Sequence, residues 1–184
     1  MAQLTAFTFT TINGFFAGEN GDISWHRHGA EENGFAAESL ASGNRLLFGR
    51  ITYEMMASYW PTPIAEQNDA TVAQGMNDAE KIVFSRTLES AAWQNTHVVH
   101  TGMIDAIREL KKTSTRDLTI LGSGSIVTQC TAHGLIDTYQ IMIDPVILGK
   151  GSTLFDGLET PCNLHLISTK PFSSGVVLFC YEKA

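Results

Sequence analysis

Residues 117–157 read DLTILGSGSIVTQCTAHGLIDTYQIMIDPVILGKGSTLFDG. Leu118, Thr119, Ile120 and Leu121 form a short run rich in β-branched residues, the mark of a buried strand. Gly122, Ser123, Gly124 and Ser125 follow at once as a turn with two residues lacking Cβ. Ile126, Val127, Cys130 and Thr131 then fit one helix face, and Gly134 supplies the stop. Strand, glycine turn and helix start bring bare N–H groups up to an anion. A tight βα turn that needs glycine only for its backbone angles reads the same way, so both readings stand at this point. A second run, residues 136–143, ends at Asp144-Pro145, where proline cannot continue an interior ladder.

Other motifs fail on spacing. The three-glycine dinucleotide fingerprint needs glycine at 127, where Val127 stands. A P-loop ending at Lys150 would put its first glycine at Asp144 and Pro145 inside the loop. No G-x-S-x-G elbow occurs.

At 184 residues the chain suits one domain, 1–184, with a real core. The formal net charge of −7 gives a nucleic-acid role little support. Cys130, Cys162 and Cys180 are scattered without a C-x-x-C pair, which reads as reduced core thiols and a cytoplasmic home. No apolar run approaches a membrane span, and the alternating N-terminus is a strand and not a signal peptide.

Taken in order, residues 4–10 alternate with two apolar residues on each face, which favours a central strand. Residues 13–25 hold two turns and the aromatics Phe15, Phe16 and Trp25, and read as a lid or pocket wall, or as a pinned surface loop. His26-Arg27-His28 lacks a third metal ligand and reads as a solvated pair. Residues 30–42 form a helix with Phe35, Leu40 and Ala36 facing in and Gly43 as its cap. Glu38 lies near that face, as a pocket acid or an exposed helical carboxylate.

Residues 45–48 are a strand, followed by Gly49, Arg50, Ile51, Thr52 and Tyr53 opening a helix through Tyr59 that Pro61 and Pro63 stop. Residues 81–84 are a third strand, and Ser85-Arg86 beyond it offers hydroxyl and guanidinium suited to a phosphate monoester. Residues 97–99 form a fourth, and 103–112 a helix. Three anion-donor sites, each just past a strand, form a constellation along one edge of a parallel sheet, where cofactors bind. Residues 163–170 and 175–182 are two strands about a Pro171 turn, hence an antiparallel hairpin. The class is α/β: a mixed, mostly parallel central sheet flanked by helices, with that hairpin at its end.

Four stretches carry a family resemblance: Thr11 through Ala17 with Gly21, Asp22 and Trp25; Phe48 through Glu54; Phe84-Ser85-Arg86; and Leu121 through Ser125, continuing by Gly134 and Pro145 to Gly151 and Phe155. The chain resembles the C-terminal reductase domain of the bacterial bifunctional deaminase–reductase of riboflavin biosynthesis and its stand-alone relatives, which share the dihydrofolate-reductase fold. The resemblance implies NADPH. It makes Gly49, Arg50 and Thr52 contacts of the pyrophosphate and adenosine side, and Ser85 and Arg86 the 2′-phosphate grip. Gly122, Ser123, Gly124, Ser125 and Ile126 hold the nicotinamide half and diphosphate, and Ala17 and Gly18 cover the nicotinamide. Dihydrofolate reductases carry a cis peptide between two glycines in this loop; Ser123 replaces the second, so a cis bond would cost more here. They also carry a carboxylate on the first helix; the best match to that position is Asn33, next to Glu31 and Glu32, with Glu38 a turn or so on. Riboflavin-pathway reductases instead bind a ribitol-type phosphate through basic residues, for which the resemblance offers His26, Arg27 and His28 near the pocket.

The expected reaction is hydride transfer from NADPH to a C=O or C=N carbon of a small pyrimidine-, pteridine- or sugar-bearing substrate. Asn13, Phe15, Trp25 and Tyr53 would line the substrate side, and Glu38 or Asp22 would supply the proton. A homodimer contacting through the C-terminal strands is implied. The rivals are a dihydrofolate reductase proper and an NADPH-binding protein without catalysis.

Overall fold

Alternation in the first strand sets the centre of the sheet. In the computed structural model, which describes residues 1–184, β1 (Leu4–Thr11) is followed by β2 (Phe15–Ala17) and a 3-10 turn over Glu19–Gly21. Then come α1 (Ala30–Ala41), β3 (Arg45–Gly49), α2 (Arg50–Tyr59), α3 (Pro63–Asn68), α4 (Ala70–Asp78), β4 (Lys81–Phe84) and β5 (Thr96–Val99). The chain ends with α5 (Met103–Thr113), β6 (Leu118–Leu121), α6 (Gly124–Ala132), β7 (Thr138–Asp144), β8 (Ser152–Thr153), β9 (Leu164–Pro171) and β10 (Val177–Lys183). The main sheet has the order β5-β4-β3-β6-β1-β7-β10-β9, and β2 pairs with β8 apart from it.

Leu4, Ala6 and Thr8 are buried on one face of β1, while Thr5, Phe7 and Phe9 are half-buried on the other. The strand is central: Leu4 lies opposite Leu118 of β6 and Thr5 opposite Thr138 of β7, both parallel. Parallel pairing continues through β3, β4 and β5. The C-terminal hairpin pairs antiparallel, β10 on β7 and β9 on β10. The sheet is therefore mixed and mostly parallel, as the pattern predicts.

The same period-2 logic divides the core. Leu47, Ile82, Leu118 and Ile120 pack with Ile107 of α5 and Ile126, Val127 and Cys130 of α6. Leu46, Phe48 and Val83 point the other way, onto Tyr53, Val72, Met76 and Trp93. All three cysteines are free, and burial pushes the Cys130 thiol up to about 12.

Most element ends shift by a residue or two from the sequence reading, and two differences have a side-chain cause. The run at 136 enters the ladder only at Thr138, because the Asp137 carboxylate is taken by the Leu4 N–H and the Lys111 ammonium. Pro63 stops one helix and also starts the next: Thr62 caps α3, with Pro63 in its first turn, and Asp69 caps α4. These two helices, of which α4 packs against α1 and α3 against α4, are absent from the sequence reading.

Lys81 opens β4 fully buried. Its ammonium donates to the carbonyls of Asn77 (3.1 Å) and Ala79 (2.6 Å) and lies 4.5 Å from the Trp93 ring. Burial pulls its pKa down to about 8. Between that value and the ordinary lysine pKa, the unfolded chain holds a proton that the folded chain has lost, so stability rises with pH across that window. Below it, the buried charge costs up to about 3 kcal/mol. Urea unfolding of Lys81→Met should show its advantage over the wild type shrinking from pH 8 to 10.5; a constant difference would contradict the assignment.

Candidate active site

The tips of β4, β3 and β6 are neighbours on one edge of the sheet, because these strands are adjacent and parallel. At the β6 tip, Gly122 (φ 56°) and Ser123 (φ 55°) are both left-handed, and α6 starts immediately after. A left-handed serine costs about 1–2 kcal/mol in backbone energy. Two hydrogen bonds hold it: Ser123 Oγ accepts the Gly49 N–H at 2.8 Å and donates to Thr52 Oγ1 at 2.9 Å. The β6–α6 turn is thereby tied to the β3–α2 turn. No peptide bond is cis, so the Gly122–Ser123 bond is trans and the cis alternative does not apply.

The first N–H groups of α2 and α6 lie at this edge with no preceding turn to donate to, except that the Ile126 N–H donates to the Ser123 carbonyl at 2.8 Å. Phe16 of β2 closes over it. A Cβ on Gly124 would sit 2.7 Å from the Phe16 ring, and one on Gly151 would sit 2.2 Å from the Ala17 carbonyl oxygen. Only glycine at these places lets the β2–β8 flap settle against the turn.

Behind the flap lies a cavity of about 1020 Å³, running from the strand tips to the space between the sheet and α1. Gly49, Arg50, Thr52, Gly122, Ser123, Gly124, Ser125 and Ile126 line it, as does Ala17. So do His26, His28 and Glu32.

His26 is not solvated, contrary to the sequence reading. It is 9% exposed, its ring stacks on Phe9 at 3.9 Å between centroids, and Nδ1 lies 2.8 Å from Asp144 Oδ2. Asp144, wholly buried at the end of β7, also accepts the Arg27 N–H at 2.8 Å. With Nδ1 engaged, Nε2 is the ring nitrogen left for the cavity. The His28 ring stands edge-on 4.5 Å away; desolvation, then the neighbouring His26, lower its pKa. Glu32, 5% exposed in the first turn of α1, accepts from the Ser174 hydroxyl. The Arg27 guanidinium donates to the Ser174 carbonyl, and Glu31 accepts the Ser173 N–H. The loop before α1 is thus latched to the β9–β10 turn. A carboxylate and two imidazoles in one partly desolvated space can hold and move a proton.

Several sequence-predicted residues lie elsewhere. Glu38 is exposed and does not line the cavity, because the helix turns it away from the sheet. Asp22 is exposed as well; its carboxylate accepts from the Ser24 N–H and hydroxyl, which hold its pKa below the usual range and make it a poor proton source. Tyr53 is core: its hydroxyl accepts the Trp93 N–H. Phe15 is turned out of the cavity, and its neighbour Phe16 lines it. Asn13 bonds to Leu148 and clamps the flap's base. Trp25 lies edge-on to Phe9, outside the cavity lining. Gly18 bonds to the Asp22 carbonyl, also outside the lining. Ser85 Oγ accepts the Thr87 and Leu88 N–H groups, and Arg86, two residues past Phe84, is exposed with no ion pair; Phe84 lines the cavity, and Ser85 and Arg86 do not. The resemblance put His26, Arg27 and His28 near the pocket; His26 and His28 line it and Arg27 does not. Sequence reasoning missed Glu32, and missed that His26 is buried. The available signal was Asp144, a carboxylate at the end of an apolar strand that needs a partner when buried.

The description "RibD C-terminal domain" matches residues 2–178. The chain belongs to that family. Uncharacterized protein YyaP of Bacillus subtilis strain 168 is 29% identical over 172 residues, covering 94% of this chain and 90% of its own. The diaminohydroxyphosphoribosylaminopyrimidine deaminase/5-amino-6-(5-phosphoribosylamino)uracil reductase of Thermotoga maritima superposes with a TM-score of 0.70 at 15% identity, covering 100% of this chain and 57% of that one. Dihydrofolate reductase from Enterococcus faecalis, complexed with NADP(H) and RAB-propyl, gives 0.68 at 18% identity, covering 98% and 96%. The RibD C-terminal domain here has a dihydrofolate-reductase-like fold.

Ser123 gives a direct test of the turn. Ser123→Ala removes both hydrogen bonds and keeps the left-handed strain, so it should destabilise by about 1–3 kcal/mol. Ser123→Gly removes the same bonds and relieves the strain, so it should be milder by about 1 kcal/mol. Equal losses in urea unfolding would contradict the role given to the backbone angle.

Proposed function

We propose that this RibD C-terminal domain protein is an NADPH-dependent reductase. It acts on a C=O or C=N carbon of a small pyrimidine-, pteridine- or sugar-bearing substrate, in the manner of a 5-amino-6-(5-phosphoribosylamino)uracil reductase. The observation that carries this reading is the shared edge of β4, β3 and β6, opening on a cavity that also holds His26, His28 and Glu32.

The donor set suits the cofactor. Arg50, Thr52 and the first-turn amides of α2 and α6 suit a diphosphate, and the unpaired Arg86 with Ser85 suits a 2′-phosphate. Bound there, NADPH supplies a hydride, and the chain's own residues do the rest. Ser123 fixes the spacing of the two turns, Phe16 and Ala17 keep water from the reacting face, and Asp144 orients His26 so that Nε2 can give or take a proton. In this reading the proton comes from the His26, His28 and Glu32 group, in place of Glu38 or Asp22.

A dihydrofolate reductase proper is the second reading. Glu32, a buried carboxylate on the first helix facing the cavity, favours it. The exposed edge strand β9, with Leu166 and Ile167 each 55% exposed, suits a homodimer contact. No helix is long and apolar enough to cross a membrane. The three unpaired cysteines support a cytoplasmic home.

Fluorescence titration with NADPH and NADH, wild type against Arg86→Ala, tests the cofactor assignment. The variant should lose about 1.5–3 kcal/mol for NADPH and almost nothing for NADH. Equal effects on the two cofactors would remove Arg86 from the site. Brisk NADPH oxidation with dihydrofolate would favour the second reading.

A further inference from the structure

The cavity extends beyond the strand tips into a chamber between α1, α2 and α4, and its lining there is unusual. Leu40, Met56, Trp60, Val72 and Met76 wall it, with Met55 beside them, while Phe35 lines the cavity on the sheet side, against Phe7 and Phe172. Five of the chain's six methionines, all but Met1, line the cavity as a whole. Methionine is flexible and polarizable, and it adapts its shape to an apolar guest. The chamber's one indole donor is already used, since Trp60 Nε1 donates to Met56 Sδ at 3.1 Å. Its polar neighbours are uncharged, and they too are partly engaged: the Ser42 hydroxyl donates to the Ser39 carbonyl, and the Asn44 amide donates to Thr119 Oγ1.

Charge is distributed to match. Arg50 is the one Lys or Arg in the lining; it sits at the strand-tip end, paired with Glu54 at 2.8 Å. The remaining ionisable groups, His26, His28 and Glu32, stand at the flank of the chamber toward β7 and the β9–β10 turn. Two other cations lie nearby, both outside the lining: the Arg27 guanidinium is turned away to the Ser174 carbonyl, and the Lys170 ammonium sits over the Phe35 and Phe172 rings at the hairpin end, away from α2 and α4. A phosphate monoester carries about −1.5 to −2 charges at neutral pH. Burying it without a facing cation is strongly unfavourable, whereas an apolar group gains from every part of its surface removed from water.

We infer that the chamber takes an uncharged, apolar substituent, so that the substrate is a planar ring bearing a hydrophobic group and not a phosphorylated sugar. The word substrate rests on the reductase reading; the binding chemistry of the chamber does not. The hydride-accepting ring lies between the strand tips and the His26–Glu32 flank, and its apolar arm points toward Trp60.

The test uses the full chain and the uncharged fluorophore N-phenyl-1-naphthylamine, with and without saturating NADPH. The wild type should bind the probe, and millimolar ribose 5-phosphate should not displace it. Met55→Lys should weaken probe binding by at least about tenfold, while the volume-conserving Met55→Leu stays within about twofold. Absence of probe binding, displacement by ribose 5-phosphate, or an unchanged Met55→Lys would each overturn the inference. The competition needs no variant, so a poorly folding Met55→Lys leaves the question decidable. NADPH binding is read in the same titrations. Probe binding as described in a protein that ignores NADPH would support the chamber assignment while removing the cofactor reading.

Discussion

A serine hydroxyl between two turns organises the candidate site. Ser123 holds a backbone angle that costs energy, and its Oγ links the Gly49 N–H to the Thr52 hydroxyl. Without that link the starts of α2 and α6 would be set only by their own strands. With it, two sets of first-turn amides keep a fixed spacing at one sheet edge. Strain at such a place persists when surrounding contacts over-determine it, and here both contacts are specific hydrogen bonds. The flap depends on the same turn, because Phe16 packs where Gly124 leaves room.

The opposite wall of the cavity rests on a second buried constraint. Asp144 ends β7 with no exposure and binds both His26 and the Arg27 N–H. Proline at 145 stops the ladder, so the carboxylate turns to the loop before α1 instead of to another strand. That loop is tied in turn to Ser173 and Ser174 of the C-terminal hairpin. The antiparallel end of the sheet therefore reaches the site indirectly, by fixing how His26, His28 and Glu32 face the cavity. Under the proposed reductase reading, hydride chemistry needs a dry cofactor face and a proton source at its side, and each latch would supply one of them.

Much of the fold was legible because period-2 alternation and glycine placement are local signals. The run at Leu118 with its glycine turn, the strand before Gly49, the run before Ser85 and the central β1 all follow from residue pattern. Residues 63–78 did not, since Pro61 and Pro63 read only as a stop, whereas Thr62 and Pro63 also make a helix start. The β6–α6 turn was legible for the same local reasons. The wall of the cavity toward β2, α1 and β7 was not. Which of Phe15 and Phe16 faces in depends on the flap's pairing with β8, about 135 residues away in the chain. Glu32 was passed over for Glu38 because helical spacing alone does not say which turn of α1 meets the sheet. His26 looked like half of a solvated pair because its partner, Asp144, is brought to it only by the β7 ladder. Tyr53, beside the glycine turn in sequence, is taken into the core by its bond to Trp93.

The proposed reductase needs the turns at Gly49 and Gly122 to form a single binding surface for an extended reduced dinucleotide. Amide chemical-shift mapping by nuclear magnetic resonance, on stepwise addition of NADPH, reads this out. The amides of residues 49–52 and 122–126 should move together along one saturable curve. Shifts confined to another face, such as α3 or the outer edge of β9, or independent responses of the two turns, would contradict it.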